Sequence, residues 1–135
     1  MTVKEYLSQY KSAEMEIEEI LERLAVLRSR AERITPTYGG NGGGSPNRNV
    51  SKIPEIVEKI IEEEERNGKR VDTLMRLQEE IQNTISRVPD NTCRNLLIMR
   101  YISCKSFEQI SVSMNYSYWH ITHYLHPKAL SMVKF

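Results

Sequence analysis

From Val3 the apolar residues recur at Val3, Tyr6, Tyr10, Ala13, Ile17, Ile20, Leu24, Leu27, Ala31 and Ile34, in steps that alternate three and four without a miss. That spacing is the a/d seam of a heptad, so the sequence predicts one long amphipathic helix whose stripe must be buried against a partner. Leu7 and Leu21 widen the stripe. Thr2 followed by Glu5 has the spacing of a capping box, so the helix can begin almost at the first residue. At the helical rise per residue the segment would be roughly 46 Å long.

The pattern stops at Thr35-Pro36, and the following stretch to Asn49 is dominated by proline, glycine and asparagine. Five of the six glycines lie between Gly39 and Gly44. A loop or flexible linker over residues 35–50 is the expectation. The glycines are not followed by Lys-Ser/Thr and no strand precedes them, so they do not fit a phosphate-binding loop. A second helix is predicted from near Ile53 to Arg87, with Pro54 in its first turn. Its stripe is Ile53, Val57, Ile60, Val71, Leu74, Ile81, Ile85 and Val88, interrupted by Glu64, Asn67 and Gln78. Glu62 to Glu65 read as a solvated face, and Gly68 weakens the middle of the helix. Two matching stripes and a linker able to reverse the chain predict an antiparallel hairpin. Pairing of the first helix with its copy in a second subunit satisfies the seam equally well.

With 39% hydrophobic and 27% charged residues the chain has enough apolar surface to fold. The formal net charge is +1, but from Asp90 onward five Lys/Arg face only Asp90 and Glu108, a balance of +3 against −2 for the remainder. All three histidines fall in that basic end, a distribution suited to a module that docks on phosphate. Cys93 and Cys104 make no disulfide framework and read as small buried apolar groups. No stretch is apolar and long enough to span a bilayer, and no signal-peptide pattern is present, so the expected setting is a reducing cytoplasm without membrane contact.

Beyond residue 88, Pro89-Asp90-Asn91 stops the second helix and caps a third, over Thr92 to Ile102, with Leu96, Leu97 and Tyr101 as core candidates. Ser106 and Gln109 form a capping box for a helix from Phe107 to Met114. Asn115-Tyr116 makes the turn, since asparagine tolerates a left-handed backbone, and Ser117 caps a last helix from Tyr118. Two short helices joined by so short a turn have the proportions of a helix-turn-helix. Tyr118, Ile121 and Leu125 share the face that would pack on Ile110 and Met114. Trp119, Thr122, His123 and His126 fall on the opposite side, pointing outward. Pro127 is expected to kink or stop the helix near His126.

These residues resemble region 4 of sigma-70-type factors, and more closely the short sigma-like regulators of phages of Gram-positive bacteria. The resemblance is carried by Leu97 with Arg100-Tyr101, by Lys105-Ser106-Phe107-Glu108-Gln109-Ile110 and by Met114-Asn115-Tyr116-Ser117. It continues through His120-Ile121 to Lys128-Ala129-Leu130. It implies an all-α fold, a long antiparallel helical hairpin or coiled coil (residues 1–88) followed by a sigma region 4-like helix-turn-helix (residues 89–135). It also implies a transcription regulator that docks on promoter or operator double-stranded DNA, in the cytoplasm of a bacterial host. Carried over, Tyr118, Trp119, Thr122 and His123 become groove-facing candidates, and Arg100, Lys105, Ser106 and Ser117 phosphate contacts. His126 and Lys128 complete the candidate surface. Family members carry Arg or Lys along the recognition helix where this chain has Thr122, His123 and Tyr124, which implies weaker or water-mediated readout.

Other classes fit less well. His120, His123 and His126 step by three and fan around a helix, while the cysteines are eleven apart, so no zinc site is expected. The carboxylates fall on solvent faces with no nucleophile-base pairing, so neither an enzyme nor a cofactor is expected. One alternative is a protein-interaction module that binds RNA polymerase or a sigma-like factor through the seam and Trp119. Another is the small DNA-recognition subunit of a phage packaging motor. A homodimer through the helical hairpin is compatible with each.

Overall fold

The computed structural model describes residues 1–39 and 48–135, with the side chains of 1–33 and 54–135. Every regular element among them is helical. Helix α1 covers Val3–Gly39 and α2 covers Arg48–Ser86. Helix α3, Asn91–Leu97, runs directly into a π-helical turn at Ile98–Ile102. Helix α4 covers Phe107–Met114. Helix α5, Tyr118–His120, continues through a second π-turn, Ile121–Leu125, into α6, His126–Ser131.

Both ends of the linker predicted over 35–50 are helical. Helical backbone extends through Gly39 and resumes at Arg48, and the remaining residues of that prediction lie outside the described ones. Once a long helix is nucleated, each added residue gains a hydrogen bond at little further cost, which breakers near its end do not cancel. Because α2 starts early, Pro54 sits inside the helix rather than in its first turn, and its ring nitrogen donates no bond to the preceding turn.

The chain divides into two compact units, Met1–Met15 with Leu74–Phe135, and Glu16–Thr73. In the first, the start of α1 lies against the end of α2. The Tyr6 hydroxyl is 3.2 Å from both Glu80 Oε1 and Thr84 Oγ1. Gln78, a polar break in the α2 stripe, donates from Nε2 to the Tyr10 carbonyl at 3.3 Å and to Glu14 Oε2 at 2.8 Å. Rising numbers on α1 meet falling numbers on α2, so these stretches are antiparallel. A buried amide would be costly unpaired, and here it is satisfied.

The core of this unit does not stop at the end of α2. Tyr6 and Leu7 of α1, and Ile81, Ile85 and Val88, share one cluster with Cys93, Leu96, Leu97, Ile110, Ile121, Leu125, Ala129 and Val133. Leu7, Ile81, Leu96, Leu97, Ile110 and Ile121 are completely buried, each contributing on the order of 1.5–3 kcal/mol from apolar burial. Residues 89–135 therefore fold on a base supplied by the two long helices.

In the second unit Ile17 and Ile20 are buried, whereas Leu24, Leu27, Ile60 and Val71 are only half-buried and Leu21 and Val57 are exposed. Arg70 forms a two-point ion pair with Glu16 (2.8 and 3.0 Å), and Arg28 pairs with Glu64 at 2.7 Å. These pairs are solvent-exposed and add little stability individually.

Candidate nucleic-acid interface

The candidate surface is built by two capped helices and the turn between them. Ser106 and Gln109 satisfy each other's backbone N–H groups, Ser106 N to Gln109 Oε1 at 3.0 Å and Gln109 N to Ser106 Oγ at 3.2 Å. Asn115 closes α4 in the left-handed conformation, φ 59° and ψ 40°. The Tyr116 N–H then returns to the Ser111 carbonyl at 3.1 Å. Ser117 Oγ accepts from the His120 N–H at 3.1 Å. Ile110 and Ile121, both completely buried, pin the two helices together across the turn.

The last helix presents a ring-lined exterior. Trp119 is 64% exposed, and its indole stacks on the His123 imidazole with centroids 5.1 Å apart and planes 9° from parallel. Thr122 Oγ1 donates to the Tyr118 carbonyl at 2.9 Å and lies 2.8 Å from His123 Nδ1. With the hydroxyl proton committed to Tyr118, Nδ1 is the donor to Thr122, which leaves Nε2 of the neutral ring as an acceptor. A second row steps by four, Tyr116 to His120 (4.9 Å between centroids), His120 to Tyr124 (5.0 Å), with the Lys128 ammonium 5.6 Å from the Tyr124 ring. Of these, Tyr116, His120 and Tyr124 were not among the residues picked from sequence. Their spacing, four apart and ending on Lys128, carries the signal that finds them.

Arg100, in the first π-turn, is held from two sides. Its Nη1 donates to the Lys105 carbonyl at 3.1 Å, and its guanidinium lies 4.0 Å from the centre of the Phe107 ring. Arg100, Lys105 and Ser106 thus gather at the entrance of α4, half-buried, while Ser117 and Lys128 are exposed. The Ser106 and Ser117 oxygens serve as helix caps, and their hydroxyl protons still have donor capacity.

Three features of the last helix differ from the sequence reading. Tyr118, expected on the core face though also a groove-facing candidate, is half exposed at the first position of α5, while Ile121 and Leu125 are buried as expected. His126, expected outward, is buried at 8% exposure. Its Nε2 shares a 2.7 Å hydrogen bond with the Tyr101 hydroxyl, and the Phe107 ring packs edge-on at 5.0 Å. Burial first, then the positive charges of Lys4 and Arg100, lower its pKa to about 4. Burial likewise raises the Tyr101 phenol, against a smaller opposing effect of Arg100. The helix also passes Pro127 without stopping. The His126 N–H reaches back to the Ile121 carbonyl, a five-residue step, and this wider turn makes room for the proline ring at the start of α6.

The cysteines also separate. Cys93 is buried, its thiol pushed up to about 11 by burial and by the neighbouring Asp90. Hydrogen bonds from Cys93 and from the Thr92 N–H hold the Asp90 carboxyl below its usual range while it caps α3. Cys104, expected to be buried, is exposed and occupies a left-handed turn, φ 55°. Among the described residues, no group of His, Cys, Asp and Glu converges as a metal site would, and no helix is long and apolar enough to cross a membrane. Comparison with family models, curated proteins and solved structures returns no significant match.

Proposed function

We propose that the segment from Phe107 to Ser131 is a helix-turn-helix of the kind found in sigma region 4, and that the protein is a DNA-binding transcription regulator. The observation that carries this reading is the turn itself: a capped α4, a left-handed Asn115, and a capped last helix held by Ile110 and Ile121, with Trp119, Thr122 and His123 on its exterior. In the major groove the His123 Nε2 acceptor matches the amino groups of adenine or cytosine, and the Thr122 methyl matches the thymine methyl. Lys128 lies beside the Tyr124 ring and Lys105 at the entrance of α4, and both are candidates to meet the sugar-phosphate strands bordering a groove. The phage-type resemblance and the net +3 of residues 90–135 support the same reading. In it, the long helices form one antiparallel hairpin that mediates dimerisation or contact with RNA polymerase.

Duplex binding is then steeply salt-dependent. Replacing Lys105, Thr122 and His123 together by alanine weakens it at least tenfold, because good base contacts contribute about 1–3 kcal/mol each. An unchanged affinity removes the basis of the reading. One observation favours a second reading, in which this face binds protein: no Lys or Arg occurs between Ser106 and Pro127, while Trp119 is 64% exposed. An exposed tryptophan is a common interface anchor. Capture of RNA polymerase or a sigma-like factor that is lost in Trp119→Ala, with no duplex binding by the free protein, establishes this second reading over the first.

A further inference from the structure

A cleft of about 280 Å³ opens on the other side of Arg100, between the first turns of α1 and the first π-turn. Lys4 and Lys11 line it from α1 and Arg100 from across, with the Ser8 and Ser12 hydroxyls between them and Tyr101 beneath. Residues 4, 8 and 11 are spaced four and three apart, so one face of α1 brings Lys4 and Lys11 to the same opening, while the Ser8 hydroxyl between them donates to the Lys4 carbonyl at 2.7 Å. No carboxylate lines the cleft, and among the described residues neither lysine enters a salt bridge. Arg100 is pre-set by the Lys105 carbonyl and the Phe107 ring, so ordering it for a ligand costs little further entropy. The positive field is felt nearby, since Lys4 and Arg100 both disfavour the charged form of the buried His126.

We propose that this cleft binds a phosphate group. Three cations from two elements, with the Ser12 hydroxyl among them and no acid to neutralise them, suit a compact anion whose several oxygens can be shared among them. A carboxylate would be matched by one arginine fork and would leave the two lysines unpaired. The phosphate can belong to a DNA backbone passing the candidate interface or to a small phosphorylated molecule. The inference stands on the cleft alone and does not require the DNA reading.

Its test is a titration of the full-length, 15N-labelled protein at low ionic strength, with pyrophosphate in one arm and a short duplex of arbitrary sequence in the other. The resonances followed are the Arg100 Nε–H and the Ser8 and Ser12 amides. The expected result is a saturable shift with at least one probe, and a loss of affinity of at least tenfold in the double variant Lys4→Gln, Lys11→Gln. A shift with the duplex alone identifies the source as a DNA backbone; a shift with pyrophosphate identifies a small phosphorylated ligand. No saturable shift with either probe, or a shift that persists unchanged in the double variant, overturns the proposal. The variant's far-ultraviolet circular dichroism and unfolding midpoint confirm that both exposed lysines were replaced without loss of the fold. A protein that binds no duplex at all defeats the transcription-regulator reading and leaves the pyrophosphate arm to decide this one.

Discussion

His126 joins the core to the candidate surface, since its imidazole meets Tyr101 and Phe107, and Phe107 in turn carries Arg100. A histidine buried in its neutral form makes stability depend on pH in a definite direction. The unfolded chain takes up a proton near pH 6.5, and the folded chain only at about 4. Between those values the unfolded state binds more protons, so stability is full above the upper one and falls as pH falls toward the lower. The loss reaches up to about 3 kcal/mol. Denaturant unfolding from pH 7.5 to 4 measures it, with His126→Gln as reference because glutamine can keep a bond to Tyr101 without titrating. The wild-type curve should drop below that of the variant's dependence over this window; parallel curves contradict the account. The two thiols supply a second residue-scale prediction. A thiol reagent should modify Cys104 rapidly in the native protein and Cys93 only on unfolding, as read by mass. Rapid native labelling of Cys93 would show that its site is open.

Among the elements, the middle of α2 is the most readily improved. Gly68 is exposed, and a Cβ added there meets nothing within 4 Å. Gly68→Ala should therefore stabilise the protein by about 1 kcal/mol, through helix propensity and a less flexible unfolded chain. A shift of the denaturant midpoint to higher concentration at unchanged slope checks it, and a lower midpoint counts against a regular helix at that point. Helical periodicity made both long helices legible, and local side-chain-to-backbone chemistry made the caps at Thr2, Ser106 and Ser117 legible. Such bonds depend only on residues three apart, as the reciprocal Thr2–Glu5 pair at 3.1 Å illustrates. The two π-turns left no comparable mark. A single five-residue step changes which later side chains face inward, so His126 turns to the side opposite the one a regular 3.6-residue count gives it. Lys4 and Lys11 were illegible as partners of Arg100 because only tertiary packing brings the start of α1 to the first π-turn.

At the scale of the molecule, the long helices do more than present a seam. The first of the two units takes Tyr6 and Leu7 from α1 and Ile81, Ile85 and Val88 from the end of α2 into the core beneath α4 and the last helix. An excised C-terminal segment would expose that apolar surface, so the proposed DNA binding is to be tested on the full chain. The basic balance of residues 90–135 then has a structural platform, although the rest of the chain is mildly acidic. Such a distribution favours docking through one end and disfavours indiscriminate coating of nucleic acid. In the proposed role, sequence specificity would come from the ring-lined exterior of the last helix, where His123 and Trp119 are stacked on each other. The most direct test is selection of duplexes from a random pool by the purified full-length protein, in parallel with the variant Lys105→Ala, Thr122→Ala, His123→Ala. The account predicts that the wild type enriches a defined site and that the variant enriches none. A pool that stays random with the wild type, or the same site enriched by both proteins, contradicts it.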